Sequence, residues 1–308
     1  MGNCCKIKTV PYKYSEHDDG STHRTDGIVL RSDDVITSLS SYSNTWALSQ
    51  DFCISLYSDF VLTSSYTTSE RVRCLKLIDN SLIYCGKNVT ILNLSGSDRG
   101  KMQGHERSIN SIDLNANTLV TGSADWSLRL WDLEKCEEIC KSVINWNVVT
   151  SLKYSNNEII QTSEDLRLRI WDSRDFKLAI SSICNVGDNF ANCCDVKDYY
   201  IATGHRGFGG NGCDVKLWDM RKLQTSIAEM KGHDEAVESV KFIGRHLISC
   251  GKDGKLLNFN LDAQLKNSWE HKNKKPFSVM ETFKQGILAG SVEPRVYFFS
   301  VNPFVHEA

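Results

Sequence analysis

The dipeptide Trp-Asp recurs in this 308-residue chain at Trp131-Asp132, Trp171-Asp172 and Trp218-Asp219, at intervals of 40 and 47 residues. A period of that length means one supersecondary unit repeated, so the chain has to be read as an array before it is divided into domains. Each Trp closes an alternating run, Leu128-Arg129-Leu130, Leu168-Arg169-Ile170 or Val215-Lys216-Leu217. A small-residue turn such as Thr121-Gly122-Ser123-Ala124-Asp125 comes before it. The pattern predicts a hairpin ending in a strand that buries a large aromatic on one face. Carried outward, the register puts Phe259 and Phe299 downstream, and Leu92 and Tyr57 upstream, in the same place, at intervals of 35 to 41 residues.

Seven units of about forty residues, each reading as four short strands, predict an all-β, seven-bladed β-propeller. Residues 25–308 are assigned to it and residues 1–24 to a disordered, acylated tail. The last repeat runs out after its third strand near Val301. An early strand within Asp26 to Arg31 is therefore expected to supply the missing outer strand and lock the ring.

Supporting residues recur with the same period. Gly104-His105 and Gly232-His233 each stand 20 residues, counted from the His, before Asp125 and Asp253, while Asp51, Asp125, Asp165 and Asp253 each precede their aromatic by six. In these motifs the chain resembles the Trp-Asp (WD40) repeat superfamily. The resemblance implies a hydrogen-bond chain of His, turn Asp, Ser/Thr and Trp inside a blade, here His105, Asp125, Thr121 or Ser123, and Trp131. It gives Asp165, Trp171, Trp218, His233 and Asp253 corresponding scaffolding roles. A His/Asp/Ser set that could pass for a hydrolase triad is thus scaffolding, because a catalytic site would not recur with the fold's period. The fourth repeat has Asn145 in the His place, the fifth has Gly212 near the turn-Asp place, and the first, second and seventh lack Gly-His. Packing has to hold those blades.

Lys+Arg total 36 against 38 Asp+Glu, a net charge of −2, which speaks against nucleic-acid binding by bulk charge. The twelve cysteines include no Cys-x-x-Cys, so they read as buried thiols rather than metal ligands. Neither a nucleophile elbow nor a zinc-protease helix nor a phosphate loop emerges. No enzyme activity, cofactor, metal or small-molecule substrate is expected.

The start, Met1-Gly2-Asn3-Cys4-Cys5, resembles a myristoylation signal at Gly2 with palmitoylation at Cys4 and Cys5, although Lys6 stands where the pattern wants Ser or Thr. Two acyl signals suffice for stable anchoring where one does not. For partner binding, Arg107, Trp126, Trp146, Phe190 and Phe208, the last inside the glycine-rich segment 204–212, are expected on one face of the ring. Large aromatics beside arginines are typical interface anchors. Arg174 and Arg221 end two Trp-Asp-x-Arg boxes, which resemble the element that docks propellers on a cullin-type ubiquitin ligase.

Residues 147–150, residues 161–174 and the run from Phe208 to Arg221 resemble the WD repeat-containing protein 31 family. That resemblance implies a non-enzymatic scaffold in ciliary or flagellar (intraflagellar transport) trafficking. The expected function is a lipid-tethered scaffold recruiting protein partners at the cytoplasmic face of a membrane. A substrate receptor of a cullin-type ubiquitin ligase is the alternative.

Overall fold

The computed structural model describes residues 8–9, 28–31 and 34–300, apart from 96, 145, 146, 185, 271–274 and 285. Every described element is a strand. Six four-stranded antiparallel sheets follow one another as residues 36–67, 74–102, 109–143, 149–184, 191–230 and 237–270, here blades 1 to 6. Blade 7 is built from Phe277–Phe283, Gly286–Ser291 and Arg295–Ser300, and Ile28–Arg31 pairs antiparallel to Arg295–Ser300 as its outer strand. The ring is closed where the sequence predicts. The segment read as a disordered tail also contributes a two-residue strand, Lys8–Thr9, on the far side of Ile28–Arg31. The unpaired N–H and C=O groups along that outer strand are the template for it.

All seven positions found by spacing lie in third strands and are buried: Tyr57, Leu92, Trp131, Trp171, Trp218, Phe259 and Phe299 are at most 7% exposed. Seven apolar clusters fill the spaces between neighbouring blades. The one joining blade 7 to blade 1 packs Phe283, Leu288 and Val296 against Ile36, Leu39, Trp46 and Tyr57. Blades approach closely at these seams: a Cβ on Gly122 would lie 2.4 Å from Val149 of the next blade.

The first strands touch one another all the way round the ring and form its inner wall. At the second position of that strand, five side chains donate to a carbonyl at the start of the following blade, Val72 lying just ahead of the first strand of blade 2. They are Thr37 to Val72 (3.0 Å), Asn110 to Val149 (3.0 Å), Thr150 to Ala191 (2.6 Å), Asn192 to Val237 (3.1 Å) and Ser278 to Ile36 (2.8 Å). In register, Arg73, one residue before the strand Cys74–Ile78, takes that place in blade 2, and Glu238 holds it in blade 6.

Three residues further on, the wall carries a belt of Ser40, Lys76, Asp113, Lys153, Asp195, Lys241 and Glu281. The charges alternate from blade 2 to blade 7, and Ser40 separates the two ends. Ion pairs join Lys76 to Asp113 (2.7 Å), Lys153 to Asp195 (3.0 Å) and Lys241 to Glu281 (2.8 Å). Backbone N–H groups complete it: Leu77 donates to Ser40 (2.9 Å), Tyr154 to Asp113 (2.9 Å) and Phe242 to Asp195 (2.8 Å). Burial opposes ionisation of Asp113 and Lys153, but the opposite charges beside them prevail. The Asp113 carboxyl is held below its ordinary value, and the Lys153 ammonium well above its own.

Candidate interaction face

The residues that look most like chemistry are used internally. In blade 3 the Trp131 indole N–H donates to the Thr121 hydroxyl (2.9 Å), that hydroxyl donates to Nε2 of His105 (2.7 Å), and Nδ1–H of His105 donates to Asp125 (2.8 Å). These directions assign a proton to Nδ1 of His105, facing the carboxylate. Of the two expected candidates Thr121 carries the chain, while Ser123 donates instead to the Ser108 carbonyl (2.9 Å) and accepts from the Asp125 N–H (3.1 Å). Burial opposes ionisation of Asp125. Hydrogen bonds from His105, Ser127 and the Glu106 N–H outweigh it and hold the carboxyl well below the usual range.

Blade 6 repeats the motif without its indole. Ser249 donates to His233 (2.8 Å) and His233 to Asp253 (3.0 Å), with Phe259 in the Trp place. In blade 4, Trp171 donates to Gln161 (3.3 Å), and Asp165 pairs with Arg169 and Ser163 instead of a His.

Blade 5 rebuilds the relay by a route the sequence did not signal. Trp218 donates to Thr203 (2.9 Å), Thr203 to His205 (3.0 Å) and His205 to the Asn189 carbonyl (2.9 Å). The His comes from the end of the blade's second strand, and a carbonyl replaces the turn Asp. His205 is 1% exposed, and burial pushes its pKa below the ordinary value despite the bond to Asn189. Blades 1 and 7 are held by aromatic packing: Trp46 stacks on Tyr57 with centroids 4.3 Å apart, and Trp269, Phe277, Tyr297 and Phe299 form a cluster across the seam between blades 6 and 7.

Loops between blades and turns between second and third strands share one face, called the top. Here the guanidinium of Arg107 lies over the Trp126 ring (5.4 Å) and that of Arg206 over Phe190 (5.7 Å). Phe208 is 79% exposed, two residues beyond Arg206. Its loop is closed tightly, since a Cβ on Gly207 would meet the Asn211 carbonyl oxygen at 2.0 Å, and the Gly210 N–H donates to the Asp234 carbonyl (2.8 Å). Four of the expected partner-binding residues, Arg107, Trp126, Phe190 and Phe208, thus gather on the top, and Arg206 joins them by pairing with Phe190. Trp146 lies outside the described residues, as do the acylation candidates Gly2, Cys4 and Cys5.

Arg174 and Arg221 sit on the opposite face, between third and fourth strands. Each grips its own aspartate with two nitrogens: Arg174 donates to Asp172 at 2.9 and 2.6 Å, and Arg221 donates to Asp219 at the same distances. Hydrogen bonds from these arginines bring both aspartates down to about 2. Arg221 also lies over Tyr199 (4.9 Å).

The top opens into the channel through a cavity of about 490 Å³. Its wall includes Arg73, Glu164, Arg206 and Glu238 besides the junction residues Asn110, Thr150, Asn192 and Ser278. Sequence reading missed Arg73, Arg206 and the charge belt. Aligning the seven first strands by the register of the third would have exposed all but Arg206, because each lies at a fixed place in its blade.

Comparison with known proteins agrees with this architecture. The family model of the WD domain, G-beta repeat matches residues 96–132 and 224–260. Those two stretches contain both Gly-His motifs and their turn aspartates. The chain is 42% identical over 53 residues to the kinesin-like protein klp-12 of Caenorhabditis elegans, covering 17% of this chain and 3% of that protein. It is 27% identical over 206 residues to an F-box/WD-40 repeat-containing protein of Arabidopsis thaliana, covering 61% of this chain and 36% of that protein. The chain therefore spans well under half the length of either relative.

Proposed function

We propose that this seven-bladed propeller of WD repeats is a protein-recruiting scaffold that binds its partners through the top face. One contrast carries the reading. The recurring His, Asp, Ser/Thr and Trp side chains are consumed inside blades, whereas Arg107, Trp126, Phe190, Arg206 and Phe208 are placed on an open face that blade packing does not require. Arginine stacked on aromatic rings, with a projecting phenylalanine, is the composition of an interface anchor. Substituting Arg107, Arg206 and Phe208 together by Ala removes partner capture in affinity purification while leaving the melting temperature unchanged. Equal capture by wild type and variant would overturn the reading.

The scaffold is further proposed to be lipid-tethered, at the cytoplasmic side of a membrane and in ciliary or flagellar trafficking. The sequence Gly2-Asn3-Cys4-Cys5 and the family resemblance support this. Lys8–Thr9 adds a geometric point: only two residues separate Cys5 from a strand pinned to the rim of blade 7. At about 3.5 Å per residue, acyl chains there would bring that rim within roughly 10 Å of the bilayer and leave the top face open sideways. Gly2→Ala is expected to move the protein from the membrane to the soluble fraction. A variant as membrane-bound as wild type would defeat the tether.

The ligase-receptor alternative requires Arg174 and Arg221 to exchange their own aspartates for an adaptor. Recovery of a ligase adaptor with wild type, and its loss on substituting both arginines, would favour it.

A further inference from the structure

The inner-wall position that supplies junction hydrogen bonds from Thr, Asn or Ser in five blades is Arg73 in blade 2. Among the described residues the Arg73 side chain makes no such bond to a carbonyl, and its five donors suit an oxyanion. Its side chain is exposed at the channel mouth, and no described carboxylate pairs with it. Arg206 lines the same cavity from blade 5, again with no described carboxylate partner. Its guanidinium carbon lies over the Phe190 ring at 5.7 Å, which holds the charge beside the mouth. The other charges at the mouth are largely compensated. Arg71 pairs with Asp51 (2.6 Å), and Glu238 pairs with Lys252 (3.5 Å) and accepts from Asn192 (3.3 Å), leaving Glu164 as the one opposing lining charge without an ion pair among the described residues. The contrast with the opposite face is instructive, because there both Trp-Asp-x-Arg arginines are saturated by their own chain.

We infer that the mouth of the channel is a receptor for an acidic segment of a protein partner, with a carboxylate held between Arg73 and Arg206 and a neighbouring apolar side chain packed on Phe208. The inference rests on the top face being the binding face and names what that face selects. A cavity of about 490 Å³ holds a few side chains, not a domain. A partner therefore enters by a loop or an extended stretch. The rigid glycine-rich turn presents Phe208 without the ordering cost that a mobile loop would carry.

Random peptides displayed on phage, selected against the full chain, test this directly. Enrichment of Asp or Glu beside a large apolar residue is expected. A synthetic peptide of the enriched type should lose about tenfold in affinity to Arg73→Gln or Arg206→Gln, the equivalent of one good charged contact. Phe208→Ala should weaken it too, and Arg174→Gln/Arg221→Gln on the other face should not. Replacing the peptide's acids by Gln or Asn should have the same effect as losing the arginines. Peptides that bind the top face without acidic bias would overturn the inference and spare the scaffold reading. Failure of top-face substitutions to affect any selected peptide would overturn both. Phosphatidylserine vesicles that compete as well as the acidic peptide would show a general anion surface and also overturn it.

Discussion

Thr121 shows how much of one blade hangs on a single hydroxyl. It accepts from Trp131 and donates to His105 while fully buried, so Thr121→Val leaves two buried polar groups without partners. At about 1–3 kcal/mol for each orphaned group, a loss of about 3 kcal/mol is expected from urea unfolding, and Ser123→Ala should cost less. Asp125 adds a pH dependence. Its folded pKa lies below the unfolded value of about 3.9, so its contribution is complete above that pH and is lost as pH falls toward the folded value. Asp125→Asn should therefore be less stable than wild type at neutral pH, and the gap should narrow as unfolding is followed from pH 6 to pH 3. A gap that widened on acidification would contradict the assignment. The blade 3 chain was legible because all its members stand at family spacings. His205 was not, because it reaches the same Thr–Trp pair from a strand end, and only the folded chain shows that a carbonyl can stand in for the missing aspartate.

At the scale of elements, the third strands were the readable part of the sequence. Their large buried residue and period-two alternation are local signals that survive even where Trp becomes Tyr, Leu or Phe. First strands were harder to read, since their conspicuous residues follow neither a helical nor a strand period within one repeat and acquire meaning only beside the adjacent blade. The closing strand belongs between these cases: a third strand with nothing after it implied a missing partner, and Ile28–Arg31 is that partner. Deleting residues 1–31 should lower the melting temperature and promote self-association, because Arg295–Ser300 would become a bare sheet edge. Deleting residues 1–26 should spare most of that stability. Calorimetry and light scattering on the two truncations separate these outcomes, and equal melting temperatures for the longer truncation and wild type would refute the closure.

Across the whole molecule, the inner belt couples blades that are far apart in sequence. Lys153→Met removes the cation between Asp113 and Asp195 and should destabilise the ring by about 3 kcal/mol, the lower end for losing one partner of a buried pair because the belt retains some exposure. Replacing Asp195 by Asn as well should restore part of that loss in a double-mutant cycle, whereas simple additivity would argue against direct coupling. Arginines at the channel mouth and cations in the belt are also kept distinct in role: the belt's are neutralised within the wall, while Arg73 and Arg206 remain available to another molecule.

Seven is an odd number, and strict alternation of two signs cannot close around an odd ring. Ser40 occupies the place where the contradiction would fall, between Glu281 and Lys76, and carries no charge. Any charge introduced there must repel one of these two neighbours: Ser40→Asp opposes Glu281, and Ser40→Lys opposes Lys76. Loss of any one of blades 3 to 6 would bring two like charges together, as Lys76 and Lys153 would meet without Asp113. The order of the inner blades is thus constrained by the charges along the wall as well as by the hydrophobic wedges that fill the circle.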